Sequence, residues 1–129
     1  MAVGCEPLVD MAEDLSTLRA DVWEFIEARD WAAYHTPKSV AMAIAIEASE
    51  ILELFQWHDN LEASAYEESV RNEVRDELAD VLIYSLSLAE QFDIDLGAAV
   101  ADKLEANERR FDADRVASMN EHLDRWQSE

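Results

Sequence analysis

A chain of 129 residues that is 50% hydrophobic can bury a core as one compact domain, and 30 acidic against 10 basic side chains give it a formal charge of −20. That charge excludes nucleic acid as a natural partner, because affinity for a phosphate backbone comes largely from Lys and Arg. Cys5 is the only cysteine, so no disulfide forms within the chain, and the longest apolar run, Val40 to Ile46, falls far short of the roughly 20 residues that span a bilayer.

The first residues carry Glu6 and Asp10 where a signal peptide would place a basic segment and a long apolar run. The expected setting is therefore the reducing cytoplasm, away from membranes. Lys38 and Lys103 are the only lysines, which suits either a salt-adapted source or an ordinary acidic, solubilising surface. With two glycines and two prolines there is little turn chemistry for hairpins, so an all-α chain of few loops is expected.

From Met11 to Arg29, Leu15, Leu18, Val22, Phe25 and Ile26 recur at spacings of three and four and mark one face of a first helix. The segment DWAAYHT breaks the pattern and leads into Pro37, a residue favoured at a first helical position, and a second helix is expected from there to about Trp57. His58, Asp59 and Asn60 form a polar break before a long third helix from about Ala65 to Gln91. Asp95 is placed to cap a fourth helix, Leu96 to about Phe111, and Asp114 to start a short C-terminal one. The whole of residues 1–129 reads as a single domain of four-helix-bundle type with an extra C-terminal helix.

Four acids fall where a core is expected. On the second helix Ile44, Glu47, Ile51 and Leu54 follow at spacings of three and four, so Glu47 lies in the apolar stripe, and Glu50 projects beside it about 5–6 Å away between Cβ atoms. The third helix repeats the arrangement with Glu77 and Asp80 among Leu78, Val81, Leu82 and Tyr84. Antiparallel packing of the two helices would bring four carboxylates together, and such a cluster needs protons or cations to offset desolvation and repulsion. Oxygen donors of this kind suit a hard cation such as Mg²⁺. In so acidic a chain either spacing alone occurs readily on solvated faces; the pair, on consecutive long helices, points to a site.

A di-iron bundle would need Glu-x-x-His pairs, and the residues three before His35, His58 and His122 are Ala32, Phe55 and Met119. Two glycines also rule out a Gly-rich phosphate loop.

The strings EASEILELFQW and DELADVLIY, holding Glu47-x-x-Glu50 and Glu77-x-x-Asp80, resemble the all-α NTP pyrophosphatases of MazG-like type, and within them the dCTP pyrophosphatase branch. The likeness extends to RDWAAYHTPKS and to KLEANERRF, covering about residues 15 to 111 and leaving the C-terminal tail outside. It implies Mg²⁺-dependent hydrolysis of a nucleoside triphosphate to the monophosphate and pyrophosphate, with Glu47, Glu50, Glu77 and Asp80 as metal ligands and catalytic group. By the same resemblance Trp31, Tyr34, His35, Trp57 and Tyr84 surround the nucleoside, while Lys103, Asn107, Arg109 and Arg110 lie near the phosphates. Lys38 is a further cation able to take a phosphate oxygen. Ile46 directly before Glu47 favours the dCTP-type branch, whereas Val22 replaces a histidine found in that branch. The implied role is removal of a surplus or modified pyrimidine deoxynucleotide. The alternatives are a related pyrophosphohydrolase acting on dUTP or phosphoribosyl-ATP, or a non-catalytic helical interaction module. An apolar stripe this rich, with Trp23, Trp31, Trp57 and Trp126 to place, points to a homo-oligomer, and the resemblance suggests a homodimer or homotetramer.

Overall fold

The computed structural model describes residues 14–128, among which there are five α-helices and no strand. They run α1 Leu15–Glu27, α2 Pro37–Phe55, α3 Glu68–Gln91, α4 Leu96–Arg110 and α5 Ala113–Ser128, with short 3₁₀ turns at Ala32–Tyr34 and Ala63–Ala65. The chain divides into two compact units, one ending at Leu96 and the other beginning at Gly97. No described helix is long and apolar enough to cross a membrane.

Each helix start has a local chemical cause. The Asp14 carboxylate accepts from the Thr17 N–H at 2.8 Å and caps α1. Thr36 Oγ1 accepts from the Ser39 N–H at 3.3 Å, and Pro37 follows in the first helical position, where its missing N–H is not needed. Asp112 receives the Arg115 N–H at 3.1 Å and caps α5. Arg109 and Arg110 close α4, where positive charge complements the helix dipole.

Two helices end in the same unusual way. Asp30 (φ 54°) and Asp93 (φ 50°) adopt the left-handed conformation that glycine usually supplies after a helix. The Trp31 N–H then reaches back to the Ile26 carbonyl (3.1 Å) and the Ile94 N–H to the Ala89 carbonyl (2.9 Å), satisfying carbonyls the helix leaves orphaned. These stops correct the expected boundaries. α1 ends at Glu27, two residues before Arg29, and its expected start at Met11 lies outside the described residues, as do Cys5, Glu6 and Asp10. α2 stops at Phe55 and not Trp57, because the His58 N–H bonds the Phe55 carbonyl in a tighter turn. α3 begins at Glu68 and not Ala65, since Ala63–Ala65 forms its own turn and Tyr66 is extended. α5 takes Asp112, and not Asp114, as its cap.

In the first unit α3 is central, packing against both α2 and α1. Ile26, Val40, Leu86 and Ala89 are the buried apolar residues among those described, with Ser87 fully buried beside them. Arg19 of α1 ties the two outer ends together: its Nε pairs with Glu90 at 2.8 Å, and its Nη1 donates to the Ile94 carbonyl at 2.6 Å. Its Nη2 also lies 3.4 Å from the Asp93 carboxylate. A guanidinium at the end of α3 thus satisfies both a carboxylate and the helix dipole.

Two substitutions separate these effects. Arg19→Leu leaves Glu90 and a carbonyl without their donor and is expected to destabilise by about 1–3 kcal/mol. Asp30→Gly removes the steric penalty of the left-handed backbone and is expected to stabilise by about 0.5–1 kcal/mol. Urea unfolding of both variants checks the opposite signs; a loss for Asp30→Gly would contradict the local account.

Candidate metal centre

The packing of α2 on α3 brings the acids together. Glu47 and Glu50 are one turn apart on α2, Glu77 and Asp80 one turn apart on α3, and carboxylate oxygens of Glu47, Glu77 and Asp80 lie within 4.8 Å of one another. The Glu50 carboxyl lies beside both Glu47 and Glu77 and acts on their ionisation. Glu47 Oε2 and Glu77 Oε2 are buried, and neither has a hydrogen-bond partner among the described residues.

Like charges this close oppose one another's ionisation. Burial, then the Glu50 carboxyl, holds Glu47 above the usual carboxylate range; Glu77 pulls it back, and repulsion from Glu50 and Asp80 adds to the rise. Glu77 is pushed up to about 7, first by the Glu50 carboxyl beside it, then by burial and by Glu47. A buried polar atom without a partner is costly, and two such oxygens facing one cluster make an incomplete coordination set. The donors are all hard oxygens on two helices, the set that a hard divalent cation takes. The residues present fit such an ion.

The other expected site residues are spread more widely. Trp31 packs edge-on against Phe25 (6.0 Å between centroids), and the Arg29 guanidinium sits 3.7 Å over the same Phe25 ring. His35 Nδ1–H donates to the Trp31 carbonyl at 2.9 Å and closes the turn that carries Tyr34, itself 74% exposed. Lys38 is exposed in the first turn of α2, Trp57 is 87% exposed just past its end, and Tyr84 lies half-buried one turn beyond Asp80. Lys103, Asn107, Arg109 and Arg110 all lie on α4, in the second unit. There Arg109 pairs with Glu105 at 3.0 Å, and the Arg110 guanidinium lies 5.1 Å from the Phe111 ring centre. Within the first unit the structure thus gathers Glu47, Glu77 and Asp80, with Glu50 beside them.

One feature is absent from the sequence reading. The polar segment after α2 folds over an open cavity of about 1040 Å³ lined by Phe55, His58, Leu61, Tyr66, Val70 and Val74. Tyr66 meets Phe55 and His58 edge-on, at 5.1 and 5.8 Å. The only signal for it was the recurrence of aromatic residues across a polar stretch. Val70 and Val74 share one stripe of α3 with Glu77, at spacings of four and three.

Because Glu47 and Glu77 bind protons more tightly in the folded chain than in the unfolded one, the stability they contribute to the metal-free protein is full below about pH 4.5. It is lost as pH rises through the raised value near 7. The melting temperature of the metal-free protein is expected to fall between pH 5 and pH 8. Millimolar Mg²⁺ should raise it by several degrees at pH 8 and by much less at pH 5, where protons compete for the same oxygens. Differential scanning calorimetry at the two pH values checks this, and equal increments would contradict the assignment.

The sequence profile of the MazG-like family matches residues 42–123, a span that contains all four acids. The chain is 39% identical over 103 residues to dCTP pyrophosphatase 1 of Homo sapiens, covering 78% of this chain and 59% of that protein. It is 38% identical over 101 residues to dCTP pyrophosphatase 1 of Rattus norvegicus, covering 77% and 58%. The chain thus spans under two thirds of the length of these curated relatives. The crystal structure of a pyrophosphatase from Archaeoglobus fulgidus DSM 4304 superposes with a TM-score of 0.69 at 40% identity, covering 78% of this chain and 94% of that one. With the paired acidic motifs, the all-helical fold and these similarities together, the chain belongs to the MazG-like family.

Proposed function

We propose that this protein is a Mg²⁺-dependent nucleoside triphosphate pyrophosphatase, releasing pyrophosphate and a nucleoside monophosphate from a pyrimidine deoxynucleotide such as dCTP or a modified form of it. The observation that supports the reading is the convergence of Glu47, Glu77 and Asp80, with Glu50 beside them and two buried oxygens left unpartnered. A triphosphate approaching four bare carboxylates would be repelled, so binding without a counter-ion is excluded on charge alone. In this reading Glu47, Glu50, Glu77 and Asp80 would hold the ion, Glu50 lying beside both Glu47 and Glu77. When bound, the cation neutralises phosphate oxygens and polarises the phosphorus they surround.

The protein's own contribution is placement. Water adds at the α-phosphorus and gives up a proton to solvent, the bond from that phosphorus to the bridging oxygen breaks, and pyrophosphate leaves with the bond's electron pair. Trp31, Tyr34, His35, Trp57 and Tyr84 are assigned to the nucleoside, the exposed faces of Trp31 and Trp57 offering platforms for a base, each stack worth about 1–3 kcal/mol. The assignment of Lys38, Lys103, Asn107, Arg109 and Arg110 to the phosphates rests on sequence resemblance and charge. The preference for dCTP comes from the named relatives and from Ile46 preceding Glu47.

The working form is proposed to be a homodimer or homotetramer. Met42 and Ile46 on α2, and Leu78 and Leu82 on α3, are exposed in pairs four residues apart, and apolar stripes of this kind are ordinarily covered by a partner. The proposed setting is the cytoplasm, in keeping with a single cysteine.

Pyrophosphate release from a panel of canonical and modified dNTPs and NTPs, with and without Mg²⁺, tests the reading. The expected result is Mg²⁺-dependent release, highest for a cytosine deoxynucleotide, with kcat/KM lowered about 100-fold or more in Glu50→Gln. Release highest for dUTP or phosphoribosyl-ATP would move the specificity and keep the chemistry. No release with any divalent ion would leave a non-catalytic helical module.

A further inference from the structure

α5 presents a stripe that the proposed activity does not use. Val116, Met119, Leu123 and Trp126 follow at spacings of three, four and three, the a and d positions of two heptads. Met119, Leu123 and Trp126 are 44%, 49% and 71% exposed. The charges on this helix are sorted about the stripe. Its acids, Asp114, Glu121 and Asp124, occupy the b and f positions on the far side, while the flanking e and g positions hold Arg115, Asn120, His122 and Gln127. Arg115 is in turn held at the helix start, its Nε 3.9 Å from Asp112 and its Nη1 donating to the Arg110 carbonyl at 3.1 Å.

That sorting is informative in a chain with a net charge of −20. Two copies of an acidic surface repel one another, and like charges at e and g are what prevent a helix from pairing with itself. Among the described residues of α5 no acid occupies an e or g position, so the same face on two chains meets apolar to apolar with neutral or basic edges along Arg115 to Gln127. A stripe of a and d residues is also self-complementary, as an interface about a two-fold axis requires.

We propose that α5 pairs with α5 of a second copy of this chain along Val116, Met119, Leu123 and Trp126. The seam is two heptads long, so it adds to association made elsewhere in the chain and gains from the high local concentration that such association provides. It stands apart from the activity proposed above: a chain without pyrophosphatase activity would pair in the same way.

The test uses the full chain with Cys5→Ser and a single new cysteine on α5, treated with a short bis-maleimide cross-linker. Met119→Cys and Leu123→Cys, on the seam, are expected to form covalent dimers at least about ten-fold faster than Glu121→Cys on the far face. Adding Leu123→Asp to the Met119→Cys chain should reduce its cross-linking to the level of Glu121→Cys. Equal rates at the seam and far-face positions would overturn the proposal. So would a stripe covered within its own chain, which would show as no dimer from either seam position.

Discussion

Four carboxylates brought together between two helices set the terms for the rest of this molecule. Each would be stable and solvated alone; side by side, with two oxygens out of water and without hydrogen-bond donors, they oppose ionisation and oppose the packing of α2 on α3. Protons or a cation can relieve that opposition, and a cation would do so while leaving the carboxylates ionised as ligands. The arrangement exchanges stability of the bare protein for a set of oxygen donors that suits a hard cation.

The remainder of the fold carries that penalty by keeping it local. α3 has two roles along its length: Glu77 and Asp80 in its middle face α2, while Leu86, Ser87 and Ala89, about two turns further on, form the driest part of the core. Arg19 then fastens α1 to the end of that same helix through Glu90 and the Ile94 carbonyl. The buried half of α3 thus anchors the half that bears the acids. Few apolar side chains are fully enclosed, and the exposed stripes on α2, α3 and α5 leave apolar surface available to other chains.

Much of this was legible in the sequence because helices repeat. A period near 3.6 makes an acid in an apolar stripe visible, so Glu47, Glu50, Glu77 and Asp80 could be selected before any coordinates, and the order of five helices followed from the same pattern. What was not legible depends on backbone geometry without a periodic signature. Asp30 and Asp93 stop their helices in a conformation usually reserved for glycine, so apolar spacing alone extends α1 two residues too far. The turn at Ala63–Ala65 hid the true start of α3, and with it the aromatic cavity beneath Tyr66. The α4 cations show a different limit: family resemblance places Arg109 near the phosphates, yet here it pairs with Glu105, one turn away.

The most direct test of the central claim is Mn²⁺ binding to wild type and Glu77→Gln, followed by electron paramagnetic resonance, alongside the metal-free melting temperature of each at pH 8. The account predicts opposite changes: the substitution weakens Mn²⁺ binding at least about ten-fold while raising the metal-free melting temperature, because one of the crowded charges is gone. Unchanged binding, with no change in melting temperature, would show these acids to be an ordinary solvated face and would contradict the account.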